Sequence, residues 1–147
     1  MSSLPVLVYE DDSLRIYWNE KQGYYLSDWQ PVFRKGEELR RAYQACIDAA
    51  KARRGALWLI DTSKFSVIDL ADVAWIENWF WPEFIGAGAT YAAVVPPAKA
   101  VSKMSASRSA KKALEKGGFV ADTYPTRAEA EAALLEWRRK RDSDSAD

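Results

Sequence analysis

From Gly36 onward, short apolar runs alternate with stretches long enough and amphipathic enough to be helices. The runs are Ala56–Ile60, Tyr91–Val95 and Phe119–Tyr124. Each is a few residues long and bounded by glycine, proline or polar residues, the form of a strand buried on both faces. Single strands separated by helices cannot pair as hairpins. They must lie parallel, joined by crossovers that put helices on the faces of the sheet.

The chain opens differently. Residues 5–10 and 13–19 read as strands around a turn at Asp11-Asp12. In the second, Leu14, Ile16 and Trp18 alternate with Arg15, Tyr17 and Asn19, a half-buried pattern of period two. A turn at Lys21-Gln22-Gly23 leads into a third strand, Tyr24–Trp29. The expected class is therefore α/β, with a mixed sheet that starts as an antiparallel meander and continues through parallel crossovers, and with about four helices.

The first helix is expected over Gly36–Arg54, where Leu39, Tyr43, Cys46, Ile47 and Ala50 make one apolar face. Glu37 and Glu38 in its first turn and Arg53 and Arg54 in its last suit the helix dipole. The second covers Asp69–Phe80, with Asp69 as cap and Asp72 in the first turn. Pro82 should end or kink it, because the residue before a proline is pushed off helical angles. A third is expected over 99–116, stopped by Gly117-Gly118. Thr126 with Glu129 forms a capping box for a fourth, whose apolar side is Ala130, Ala133, Leu134 and Trp137. One domain over residues 1–141 with a polar, frayed tail at 142–147 accounts for all 147 residues.

Composition removes several chemistries. The chain has no histidine, which excludes a Ser-His-Asp triad, a Cys-His pair and histidine-ligated metals. Its one cysteine, Cys46, has no partner for an internal disulfide and sits on the apolar face of the first helix as a small hydrophobe. Lys+Arg and Asp+Glu balance at 21 each, against the basic surface a nucleic-acid binder needs. No spacing singles out a pair of carboxylates for acid–base work. Neither an enzyme, a metal site nor a cofactor is expected. The segment Met1–Pro5 has no signal-peptide character, and charges interrupt the apolar stretch Val67–Val95, so no membrane span and a cytoplasmic location are expected.

The segment Leu57-Trp58-Leu59-Ile60-Asp61, leading through Thr62–Ile68 into Asp69-Leu70 at a helix start, resembles the STAS superfamily. Its best-known members are the anti-sigma-factor antagonists. Trp29 before the first helix, Trp75, Trp81-Pro82 and the closing Ala-Leu-Leu-Glu-Trp at 133–137 look like the uncharacterised bacterial anti-sigma-antagonist-like (STAS/SEC14-like) branch. The resemblance covers about residues 6–138. It implies a regulatory or protein-interaction module. Signalling members carry a phosphorylatable Ser or Thr just after the Asp at that helix start. Here the position is Leu70, which argues against the usual phosphoswitch.

Two groups of candidate site residues emerge. Asp61, Thr62, Ser63, Ser66 and Asp69 follow the carboxyl end of a parallel strand, where open α/β sheets bind ligands. Turn formation by Thr and Ser, and helix capping by Asp69, explain the same residues without any ligand. The helix around Asp72, Trp75, Trp79 and Trp81 carries more aromatics than one sheet-facing stripe can absorb. On a regular helix Trp75 and Trp79 fall on a second side and Trp81 on a third. The surplus can meet core, a protein partner or a second copy of the chain (a homodimer), or a small apolar ligand. Residues 66–88 carry four acids and no base, whereas residues 99–116 carry six bases. Such faces can pair between chains or simply be solvated. Ser102, Lys103, Ser105, Ser107 and Arg108 could hold a phosphate, although the glycines of a phosphate loop are missing. The leading expectation is a non-enzymatic interaction module. The alternative is a binder of a small apolar or lipid-like ligand, as the SEC14 side of the resemblance implies.

Overall fold

A computed structural model describes residues 5–64, 69–97 and 119–145. It shows one six-stranded mixed sheet in the order β1-β2-β3-β4-β5-β6. The strands are β1 (Val6–Glu10), β2 (Leu14–Asn19), β3 (Tyr24–Trp29), β4 (Leu57–Asp61), β5 (Tyr91–Val95) and β6 (Val120–Thr123). β1, β2 and β3 are antiparallel neighbours, and β3 through β6 run parallel. Three helical elements are described: α1 (Glu37–Ala52), α2 over 70–86, and α3 (Arg127–Ser145). The helix expected over 99–116, with its basic residues and its Ser102–Arg108 cluster, lies outside the described residues. α3 continues through Ser145, into the polar segment expected to fray.

The sheet buries both faces, and each face has its own core. On one side Leu14, Ile16, Tyr25, Trp29 and Trp58 pack under α1 and α2. On the other, Tyr24, Leu57, Leu59, Tyr91, Ala93 and Val95 pack under Ala130 and Leu134 of α3. Successive residues of a strand point to opposite faces. Leu57-Trp58-Leu59 therefore feeds both cores, and all three are at most 1% exposed. α1 buries the expected stripe of Leu39, Tyr43, Cys46, Ile47 and Ala50, with Ala42 added. Burial pushes the Cys46 thiol far above its ordinary pKa, so it stays protonated and inert.

α2 departs from expectation in an instructive way. Pro82 does not end it. An α-helical turn, Leu70–Trp75, widens into a π-helical turn, Ile76–Phe80, and resumes as α-helix over Trp81–Gly86. The Trp81 N–H bonds back five residues to the Ile76 carbonyl. Pro82 then falls at the start of the resumed α-helix, where a missing N–H costs least. The wider turn also re-phases the helix. Ile76, Phe80, Trp81 and Phe84 all become buried, so Trp81 leaves the third side predicted for it and enters the core.

The core on the α1/α2 side is a continuous aromatic layer. Trp58 packs on Tyr25 at 4.6 Å and on Phe84 at 4.9 Å between ring centroids. Trp81 contacts Phe80, Phe84 and Phe119. Tyr43 of α1 joins Trp29 and Phe80, each at 4.6 Å. At the rim, the Arg53 guanidinium lies 4.5 Å from the Trp18 ring centroid and donates a hydrogen bond to the Tyr25 hydroxyl. Such ring pairs add about 0.5–1.5 kcal/mol each beyond area burial.

Phe84 is 0% exposed and stands at the centre of this layer. Phe84→Ala should cost about 3–5 kcal/mol in urea-denaturation stability. Trp79→Ala, at a site 37% exposed, should cost about 1 kcal/mol or less. Equal losses would mean that the layer is not the mechanical centre of the fold.

Candidate functional site

β3 and β4 are paired parallel in a register that sets Asp28 beside Asp61 at their carboxyl ends. Both residues are buried, at 8% and 4% exposure. Two neighbouring carboxylates withdrawn from water need cations. Arg127, the first residue of α3, supplies one. Its Nε donates to Asp61 Oδ2 at 2.8 Å and its Nη2 to Asp28 Oδ1 at 3.0 Å. Lys64 Nζ stands 3.4 Å from the same Asp28 oxygen. Asp61 Oδ1 accepts from the Ser63 amide at 2.9 Å and from the Ser63 hydroxyl at 2.6 Å. Burial alone would raise the Asp61 pKa. The hydrogen bonds from Ser63 and Arg127 outweigh it and hold the carboxyl below its ordinary value. Burial likewise works against the charge on Arg127, and the two carboxylates overcome it.

Thr62 does not face this cluster as a free hydroxyl. Its amide and its Oγ1 both donate to the Val95 carbonyl, at 2.9 and 2.8 Å, tying the loop after β4 to the end of β5. Asp69 is a helix cap, with Oδ1 accepting from the Ala71 amide at 2.9 Å. Ser66 lies outside the described residues. Of the loop candidates, then, Asp61 and Ser63 come together, and Thr62 and Asp69 hold local structure.

Asp72 has a long-range role. It is 2% exposed, and its carboxylate accepts from the Gly36 amide, 3.3 Å from Oδ1 and 3.2 Å from Oδ2. Gly36 is the cap residue of α1, with φ of 62°, a conformation that costs a glycine nothing. A negative charge at the positive end of α1 is favourable. Asp72 thus fastens α2 to the start of α1.

The three tryptophans separate. Trp81 is core. Trp75 is half-buried, 6.0 Å from Tyr43 by centroids, with the Arg40 guanidinium 5.2 Å from its ring. Trp79 stacks on Trp75 at 4.8 Å with 24° between planes and is 37% exposed. Leu70, at the start of α2, is 83% exposed. α2 therefore offers to solvent an indole and, nine residues earlier, a leucine.

A second feature lies at the same end of the sheet. A cleft of about 260 Å³ opens between the β1–β2 turn and α1, lined by Tyr9, Ser13, Arg34, Glu38 and Arg41 among others. Its charges are largely engaged with one another. Arg34 pairs with Asp12 and Glu38, at 3.2 and 3.1 Å. Asp11 accepts from the Tyr9 hydroxyl and from Ser13 and Leu14. Burial and the bond to Asp11 push the Tyr9 phenol up to about 12. Among the described residues no group of three or more Cys, Asp or Glu side chains is arranged to hold a metal ion. No helix there is long and apolar enough to cross a membrane.

Asp28, Lys64 and Arg127 escaped sequence reasoning. Residues 28, 61 and 127 are far apart in the chain, and only strand register and the docking of α3 join them. The available signal was weak: an acid next to the last residue of one strand, an acid at the last residue of another, and a base one residue after a helix cap.

No family model, no curated protein and no solved structure matches the chain.

Removing Arg127 leaves Asp28 and Asp61 facing each other with Lys64 alone. Arg127→Met should lower stability by about 1–3 kcal/mol at neutral pH, less than for a fully buried pair because the arginine is 44% exposed. The Asp61 carboxyl is depressed in the fold, so its stabilisation is full above its unfolded pKa of about 3.9 and is lost as pH falls through the folded value. The gap between wild type and variant should therefore narrow below about pH 4. A gap independent of pH would show that the ion pair contributes nothing.

Proposed function

We propose that this protein is a non-enzymatic interaction module that binds a protein partner through the outer surface of α2, with Trp79 as the central contact. The observation that carries the reading is the state of the two tryptophans. Trp79 is presented to solvent while stacked on Trp75, which Tyr43 and Arg40 hold in place. A rigid, partly exposed indole loses little entropy on binding and is the commonest kind of binding hot spot. Exposed Leu70 adds apolar surface at the head of the same helix.

The resemblance to STAS-like proteins supports the same reading. In that comparison Leu70 stands at the phosphoacceptor position, and a leucine accepts no phosphate. Control of binding by a kinase at this position is therefore not part of the proposal. The polar cluster of Asp28, Asp61 and Arg127 serves as architecture in it. Its charges are paired within the chain, so it has no nucleophile–base arrangement to offer.

Native mass spectrometry of the untagged protein from its own cells tests the reading. A stoichiometric protein complex is expected, and Trp79→Ala should weaken it roughly 30-fold or more with the fold intact. A monomer carrying a small adduct that denaturation releases would replace this reading with that of an apolar-ligand binder.

A further inference from the structure

The edge of the sheet at β1 carries an inference independent of α2. β1 is the terminal strand in the sheet order and pairs only with β2 among the described strands. Val6, Leu7 and Val8 are 57%, 45% and 41% exposed. Adjacent strand residues point to opposite faces, so among the described residues neither face of this edge is fully covered. An edge of this kind leaves a row of backbone N–H and C=O groups unpaired beside apolar side chains, and natural proteins usually guard it with charge or proline. The opposite edge carries such a charge inside its strand: Asp122 is the third of the four residues of β6. At β1 the proline, Pro5, stands before the strand, residues 6–9, Val-Leu-Val-Tyr, carry no charge, and the one charge of the strand, Glu10 at its end, is already paired with Arg15 at 2.9 Å.

We propose that β1 pairs antiparallel with β1 of a second copy of this chain, making one continuous sheet across a two-fold axis at Leu7. The occupant follows from chemistry and symmetry. Unpaired strand edges are satisfied by another extended backbone, and an isologous contact requires a self-complementary segment. The uncharged window 5–9 is centred on Leu7. About that point Leu7 meets Leu7, Val6 meets Val8, and each Glu10 falls outside the paired segment. Sliding the strands toward their carboxyl ends would bring the Glu10 side chains into the contact, where like charges directly opposite are unfavourable. The pairing also extends a row already present. Leu7, Tyr17 and Leu26 are register partners across β1, β2 and β3, on the face that α3 covers farther along the sheet. A second copy continues this row across the axis. The bulge between Leu7 and Tyr9 increases local twist and takes Val8 out of register with β2. The flat part of the edge is therefore short. Five residues are few beside the 20–30 residues, or about 800 Å², that each partner gives to a standard interface. The dimer is accordingly weak and concentration-dependent.

Sedimentation velocity on the full chain from about 5 to 500 µM tests it. The weight-average mass should approach twice the monomer value with rising concentration. Leu7→Lys and Val8→Lys should remain monomeric with unchanged far-UV circular dichroism, and Trp79→Ala should dimerise like the wild type. A wild type that stays monomeric throughout overturns the proposal. So does a dimer that survives both lysine variants, or one that Trp79→Ala abolishes. Should the lysine variants misfold, hydrogen exchange of the wild type decides. Amides 6–9 should gain protection with concentration, and protection that does not change with concentration overturns the pairing. Because Trp79 is remote from this contact in sequence and element, loss of the β1 dimer leaves the α2 reading standing, and the reverse also holds.

Discussion

β4 and β5 have no face to give to water. Leu57, Trp58 and Leu59, and every residue from Tyr91 to Val95, are buried. A sheet with such strands at its middle must be covered twice, and the rest of the molecule follows from that need. The crossovers α1 and α2 cover one side. Among the described residues the other side is covered by α3, the helix that follows β6. Side-chain contacts hold α3 against that face. Apolar contacts through Ala130 and Leu134 do part of this, together with Trp137 stacked on Tyr91 at 4.5 Å. Hydrogen bonds from the Tyr24 hydroxyl to Glu131 and from Arg138 to the Gln22 carbonyl fix its flank.

Arg127 is the polar counterpart of that docking. Parallel pairing puts Asp28 and Asp61 side by side, a placement each strand would avoid in isolation. The guanidinium bridges them and pins the start of α3 to the sheet. Breaking such a bridge costs more than the bridge contributes, because it strands the carboxylates it neutralised. Asp72 works by the same logic at the start of α1, where a helix dipole and one amide take the part of the cation.

The π-helical turn decides which aromatics are core and which remain on the surface. It inserts one extra residue into the α2 repeat just before Pro82, so that Trp81 and Phe84 join Phe80 against the sheet. Trp75 and Trp79 stay at the outer edge, stacked on each other. π-turns of this kind recur at functional sites. Here the turn reconciles a proline with a continuous helix and leaves an indole exposed.

Local patterning in the sequence determined the class of fold, each of the six described strands and the apolar faces of α1 and α3. These depend on residues a few positions apart, and periodicities of two and 3.6 record them directly. The caps at Asp69 and Thr126 were legible for the same reason. Tertiary structure alone decided the rest. The Asp28–Asp61–Arg127 cluster needs a strand register and a docked helix, neither of which any local window contains. The burial of Trp81 needs a π-turn, and a regular helical wheel assumes there is none. The exposure of Val6–Val8 is settled by β1 lying at the edge of the sheet, because an apolar run reads alike at an edge and at the centre.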